Sequence, residues 1–334
     1  MSKGKLIRWG ICGVGKISQD FCANLVNLPN EEHQVVAVAG RSLERAKEFA
    51  GRFSITKAYG SYEQLAQDND VGIVYVGTIH PTHFDCCMKM FEHNKHILCE
   101  KPMTMNANQT RKLIETARSK KLFLMEAMWT RFFPAVLKLQ ELIADGTIGE
   151  VKLVKADFCM QPPERVDRLY DPALGGGATL DVGIYPIAMA SLIFGGGRPE
   201  SIKATGYLTD TGVDELASII IKYPGNRVAN LCCSLNLNMP KQAQICGSKG
   251  IVTLTEPFWC TTQLQTPSGN LDFPLPKPDL EMIFANGRGM TYEAEAVRRC
   301  LVEGKTECEA MPLDESLIIA ETMDSILKQL GVKY

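Results

Sequence analysis

The stretch Gly13-Val14-Gly15-Lys16-Ile17-Ser18 reads G-x-G-x-x-S between an apolar run and a helical pattern. In such a turn the first glycine permits the tight bend, and the second lets the backbone approach a pyrophosphate. The small third residue lets helix and strand pack closely, while the helix N-terminus faces the negative charge. Lys16 and Ile17 would open that helix beside the phosphates. Gly10 to Lys16 also fits G-x-x-x-x-G-K, but Ile17 stands where a triphosphate loop needs Ser or Thr for magnesium. The turn is therefore read as a dinucleotide site. At the end of the second strand, Val38-Ala39 leads to Gly40-Arg41-Ser42 with no acidic residue at the tip. Arg41, the Ser42 hydroxyl and Arg45 one turn onward suit a 2′-phosphate, so the expected cofactor is NADP.

Three further groups could carry chemistry. Glu100-Lys101-Pro102 ends the fifth strand, whose carboxyl end would face the cofactor crevice. Taken alone, a lysine at a strand end is more often a solvated charge. A glycine run, Gly175-Gly176-Gly177, leads to Asp181 and Tyr185, four residues apart and on one face if Asp181 begins a helix. A tyrosine beside a cation can move protons near neutrality; the plainer alternatives are an N-cap for Asp181 and a core ring for Tyr185. His80-Pro81-Thr82-His83 follows the fourth strand. It lacks helical metal-ligand spacing and is read as a loop beside the nicotinamide, with His83 capping or orienting. Trp129 and Phe133, at the domain junction, would wall a substrate pocket or pack between domains.

These groups need elements to hold them. Apolar strands at residues 6–12, 34–39, 71–76, 96–99 and 122–125 alternate with helical patterns, including 42–53 with Ser42 as N-cap. Such alternation predicts a parallel sheet covered on both faces. After about residue 127, strand-like stretches at 151–159, 201–207, 216–223, 228–235, 243–246 and 251–254 predict a mostly antiparallel sheet. Helices at 182–194, 292–303 and 315–330 would cover one face. Strands apolar at both parities imply that the other face meets a partner subunit. The fold class is α/β, with domains at 1–126 and 127–334.

The chain has 334 residues, 45% hydrophobic and 22% charged, with net charge −2. That is globular usage without the basic excess of a general nucleic-acid binder. No apolar run near 18 residues is evident, so no membrane span is expected. Residues 1–10 are too short in apolar content for a signal peptide. The twelve cysteines, with adjacent pairs at 86–87 and 232–233 and no C-x-x-C, read as buried thiols in a reducing, cytoplasmic compartment.

Taken together, the glycine turn, Glu100-Lys101-Pro102 and the glycine run before Asp181 resemble the glucose–fructose oxidoreductase/inositol dehydrogenase family over nearly the whole chain. Residues 32–39, 45–50, 57–63, 122–135, 180–185 and 289–294 carry the closer match. The resemblance implies an N-terminal Rossmann doubly wound sheet and a C-terminal α+β domain with an open, mostly antiparallel sheet, paired across that sheet in a homodimer. It maps the family lysine to Lys101 and the helix aspartate to Asp181. Tyr185 stands where many members have histidine, which implies tyrosine as proton donor and acceptor and argues against inositol oxidation. It also places Trp129 near substrate; Arg165 and Arg168 fall in a variable loop and receive no catalytic role. The implied reaction is hydride transfer from a ring carbinol of a diol or sugar to NADP. The alternatives are the reverse carbonyl reduction and a non-catalytic NADP sensor.

Overall fold

Strands and helices alternate through the first part of the chain in this computed structural model, which describes residues 6–162, 164–278 and 280–334. Residues 1–5, half of the stretch read as too short for a signal peptide, lie outside the described residues. The order is β1 (Ile7–Cys12), α1 (Lys16–Leu25), β2 (His33–Ala39), α2 (Leu43–Arg52), β3 (Lys57–Tyr59), α3 (Tyr62–Gln67), β4 (Ile73–Val76), α4 (His80–Glu92), β5 (His96–Glu100), α5 (Ala107–Lys120) and β6 (Leu124–Ala127). β4 and β6 are buried at every position, so both faces of their sheet are covered. The sheet runs β3-β2-β1-β4-β5-β6 with every pair parallel. That is the strand order of the doubly wound dinucleotide fold.

Register aligns the strand ends. Cys12 pairs with Ala39 and with Val76, Val76 with Cys99, and Glu100 with Ala127. Gly13, Gly40-Arg41, Gly77, Lys101 and Met128-Trp129 therefore leave the sheet at one carboxyl edge. Ser42 caps α2, its hydroxyl accepting from the Arg45 backbone N–H at 3.3 Å. His80 to His83, expected in a loop, instead form the first turn of α4, with Pro81 inside that turn. Proline there loses no hydrogen bond, because first-turn N–H groups have no partner within the helix.

The second unit contains α6 (Pro134–Ala144), β7 (Val151–Cys159), α7 (Asp167–Tyr170), α8 (Ile184–Ile193), β8 (Ser201–Leu208), β9 (Asp214–Tyr223), β10 (Arg227–Ser234), β11 (Ala243–Gly247), β12 (Ile251–Leu254), β13 (Gln263–Thr266) and β14 (Gly269–Asp272). Its sheet runs β14-β13-β12-β11-β7-β10-β9-β8, antiparallel except where β7 meets β10. β13 and β14 are short and polar, which hid them in the sequence. Along β9, Ala217, Ile219 and Ile221 are buried while Ile220 is 51% exposed. One face is thus core; the other carries Ile220, Tyr207 and Ile251 in the open. Contrary to expectation, one segment, Pro172–Ile193, is long and apolar enough to span a membrane. It is buried core, and a π-helical turn at Thr179–Gly183 interrupts it.

Two helices complete the chain, α9 (Met290–Val302) and α10 (Leu313–Leu330). Packing divides the molecule into Met1–Thr104, Asn108–Phe132 and Leu275–Leu313 on one side, and Met105–Ala107, Phe133–Pro274 and Asp314–Tyr334 on the other. The contiguous division expected at 126/127 does not describe this packing. α9 belongs with the first unit, not with the second sheet as expected. The reason is polar: Asp20 on α1 accepts the Ile283 and Phe284 N–H groups at 2.9 Å each. Asn24, one turn on, donates to Gly287 O at 2.9 Å and accepts from Thr291 at 2.9 Å.

Candidate active site

The glycine turn meets the requirements of a dinucleotide cradle. Gly13 has φ +105°, and a Cβ there would lie 2.8 Å from the Gly77 carbonyl oxygen, so only glycine fits. Gly15 is the extended N-cap of α1 and supplies no side-chain cap, which leaves the first N–H groups of the helix for an anion. Ser18 is buried and donates to Gly77 O at 3.2 Å, so the small third residue does bring helix and strand together. Lys16 is exposed and Ile17 half-buried in the first turn. These residues fit a bound pyrophosphate. At the β2 tip, Arg41 and Arg45 are exposed. The Ser42 hydroxyl donates to Glu44 at 2.8 Å while it caps Arg45, so its hydrogen is committed within α2.

Lys101 follows a buried carboxylate. Glu100 accepts from the Tyr75 hydroxyl at 2.6 Å and from the Lys101 backbone N–H at 3.2 Å, so both its oxygens are engaged within the first unit. Burial pushes the Glu100 carboxyl up, opposed by the Tyr75 hydrogen bond and the Lys101 charge. Glu293 on α9 is buried too. Burial and then the Glu100 charge push its carboxyl well above the usual range. Buried His83 places Nδ1 2.9 Å from Pro102 O and Nε2 3.1 Å from Thr78 O. Burial lowers its pKa, so the ring is neutral and donates to one of the two carbonyls. It thereby ties the start of α4 to the Lys101-Pro102 segment, whose peptide bond is cis. His80, its ring 6.0 Å from that of His83, is buried in the same turn.

In the second unit, Asp181 is not an N-cap. It lies inside the π turn Thr179–Gly183, which runs directly into α8. Its Oδ1 accepts from Arg168 Nη1 at 2.8 Å. Arg168, given no role from the sequence, is thus the ion-pair partner of a predicted catalytic residue; nothing in its spacing marked the pairing. Tyr185 is buried in the first turn of α8. Its ring centroid lies 5.6 Å from Phe158 and 6.0 Å from Trp259, and Phe158 stacks on Trp259 at 3.7 Å. Neither Phe158 nor Trp259 was in the predicted set, although Trp259 is one of three tryptophans in the chain. Trp129 and Phe133 are both buried but belong to different units, Trp129 in a 3-10 turn and Phe133 as N-cap of α6.

A dinucleotide turn, a lysine at the same sheet edge, and an aspartate–tyrosine turn on a separate antiparallel unit define an oxidoreductase. Residues 7–128 match the oxidoreductase family with an NAD-binding Rossmann fold, and residues 136–253 match the GFO/IDH/MocA C-terminal domain; the chain belongs to this family. It is 46% identical over 327 residues to trans-1,2-dihydrobenzene-1,2-diol dehydrogenase of Xenopus tropicalis, covering 98% of this chain and 99% of that one. The Homo sapiens enzyme of that name is 44% identical over 331 residues, with 98% of each chain covered. Among solved structures, a levoglucosan dehydrogenase in complex with NADH and levoglucosan shares the fold at TM-score 0.85, 18% identity and 98% coverage of each chain. A 3-ketoreductase from Actinomadura kijaniata in complex with NADP does so at TM-score 0.82, 24% identity and 98% coverage of each.

Proposed function

We propose that this oxidoreductase uses NADP to oxidise a ring carbinol beside a second hydroxyl. The substrate is a trans-dihydrodiol of an aromatic hydrocarbon, taken to a catechol, or D-xylose, taken to its lactone. The observation that carries the reading is the register that brings Gly13, Arg41 and Lys101 to one carboxyl edge. The shared name of relatives 44% and 46% identical over nearly the whole chain supports the dihydrodiol.

NADP, when bound, would supply the acceptor for the hydride leaving the carbinol carbon. Gly13, Gly15, Lys16 and Ile17 would hold its pyrophosphate, and Arg41 with Arg45 its 2′-phosphate. His80, His83 and Glu100 support the Lys101 segment, which would stand beside the nicotinamide. Tyr185, as its phenolate, takes the hydroxyl proton at its Oη. Lys101 supplies positive charge to the developing alkoxide. Asp181 balances that charge, and Arg168 fixes its orientation. Phe158 and Trp259, gathered around Tyr185, offer an aromatic face to a flat ring, with Trp129 and Phe133 as further walls. A dihydrodiol that loses two hydrogens in this way becomes a hydroxyenone, which tautomerises to the catechol.

Ile220, Tyr207 and Ile251 on the open face of the second sheet support a homodimer across it. Ile220→Asp should convert the particle to a monomer by light scattering; an unchanged mass removes that face from the interface. For the reaction, the test follows NADPH absorbance across trans-dihydrodiols, D-xylose and acyclic polyols. Turnover of the ring substrates with NADP in preference to NAD is expected. No cofactor reduction with any of them overturns the reading.

A further inference from the structure

Asp214 opens β9 and is fully buried. Its Oδ2 accepts two hydrogen bonds from one residue, the Thr179 N–H and the Thr179 hydroxyl, each at 2.7 Å. Thr179 is the first residue of the π turn that carries Asp181 and continues into Tyr185. An early N–H of a helical run lacks an internal acceptor, and a carboxylate there satisfies it with favourable charge. The other side of Asp214 faces the glycine run. Gly177 has φ +108°; a Cβ there would collide with Asp214 Oδ1 and lie 2.8 Å from the Tyr334 hydroxyl oxygen. Tyr334 donates that hydroxyl to Gly176 O. Asp214 Oδ1 has no hydrogen-bond partner among the described residues. The turn is therefore held from one direction by Asp214 and closed from the other by Gly177 and Tyr334.

We propose that Asp214 is a positioning residue for proton transfer: acting through Thr179, it fixes the turn that presents Asp181 and Tyr185. This rests on the reading that Tyr185 moves the proton. Burial pushes the Asp214 carboxyl up to about 6, against the two Thr179 hydrogen bonds. The titratable groups facing it are Cys233 on β10 and Tyr334. Burial and the Asp214 charge push both up, so they stay protonated, and none of the groups acting on Asp214 is a cation. Protonation weakens Oδ2 as an acceptor, so the turn should loosen as pH falls through about 6.

The experiment measures kcat against pH, and NADPH affinity by fluorescence titration, in Asp214→Asn, Thr179→Val, Thr179→Ser and Tyr185→Phe. Asp214→Asn should lose about tenfold or more in kcat, the scale of a misplaced reacting group, with cofactor affinity unchanged. Its acid limb near about 6 should vanish, because asparagine does not titrate. Thr179→Val, lacking the hydroxyl donor, should lose less, and Thr179→Ser should recover most of that loss. If Asp214→Asn fails to fold, Thr179→Val decides, and wild-type kcat there overturns the proposal. Wild-type kcat and acid limb in Asp214→Asn, with Tyr185→Phe inactive, overturn the proposal alone. Normal turnover in Tyr185→Phe overturns the underlying reading and the proposal with it.

Discussion

Arg168 reaches across from α7 to donate from Nη1 to Oδ1 of Asp181 at 2.8 Å. The two side chains differ in exposure, 35% for the arginine and 11% for the aspartate. The aspartate thus depends on this partner more than the arginine does. Removing the guanidinium leaves a mostly buried carboxylate short of a charge-assisted donor. Arg168→Met should lower kcat about tenfold, as expected for one hydrogen bond to a charged group, discounted for the arginine's exposure. Steady-state kinetics at saturating cofactor check this. Full activity would mean that Asp181 needs no such orientation.

The proposed preference for NADP rests on Arg41. It stands exposed just beyond β2, where an acidic residue would hydrogen-bond a ribose instead. Arg41→Asp should raise the Michaelis constant for NADP far more than that for NAD. Parallel titrations of both cofactors measure the ratio. Equal effects on the two would show that Arg41 makes no contact with the 2′-phosphate.

Trp259 stacks on Phe158 with ring centroids 3.7 Å apart, beside Tyr185. The conjugated diene face of a trans-dihydrodiol gains more from such a surface than a saturated sugar does. Trp259→Ala should therefore raise the Michaelis constant for a trans-dihydrodiol about tenfold and change that for D-xylose less, given ~0.5–1.5 kcal/mol for an aromatic pair. A uniform rise for both substrates would place Trp259 outside ring recognition.

Asp214 also makes a stability prediction. Its folded pKa is raised from 3.8 to about 6, so the folded state holds a proton that the unfolded chain has already lost. The resulting stability is complete below 3.8 and is lost as pH rises through about 6. At neutral pH the charged side chain costs about 3 kcal/mol relative to a group that does not titrate. Chemical denaturation should show wild type losing ground to Asp214→Asn across that window. A constant difference at all pH values would place the carboxyl at its ordinary pKa.

What the sequence disclosed depends on how local each cause is. The glycine turn and the Ser42 cap are set by neighbours a few residues apart, and both were legible. Pro81 misled because the same residue breaks a helix interior and suits its first turn; only its position in α4 separates the two. Arg168 and Asp181 are 13 residues apart, and Thr179 and Asp214 are 35 apart. Neither pairing leaves a pattern in one sequence, because folding rather than spacing brings them together. α9 showed its buried stripe but not what would cover it. Its place beside α1 follows from the contacts of Asp20 and Asn24 with residues more than 260 positions away.

The claim that matters most is that the Tyr185 hydroxyl moves the substrate proton. Tyr185→Phe removes that oxygen alone and leaves the ring to pack against Phe158 and Trp259. Measuring its kcat with a trans-dihydrodiol and its NADPH affinity on the same preparation tests the claim most directly. The expected result is a loss of ~10²–10⁴-fold in turnover with cofactor affinity close to wild type. Turnover near wild type would contradict it.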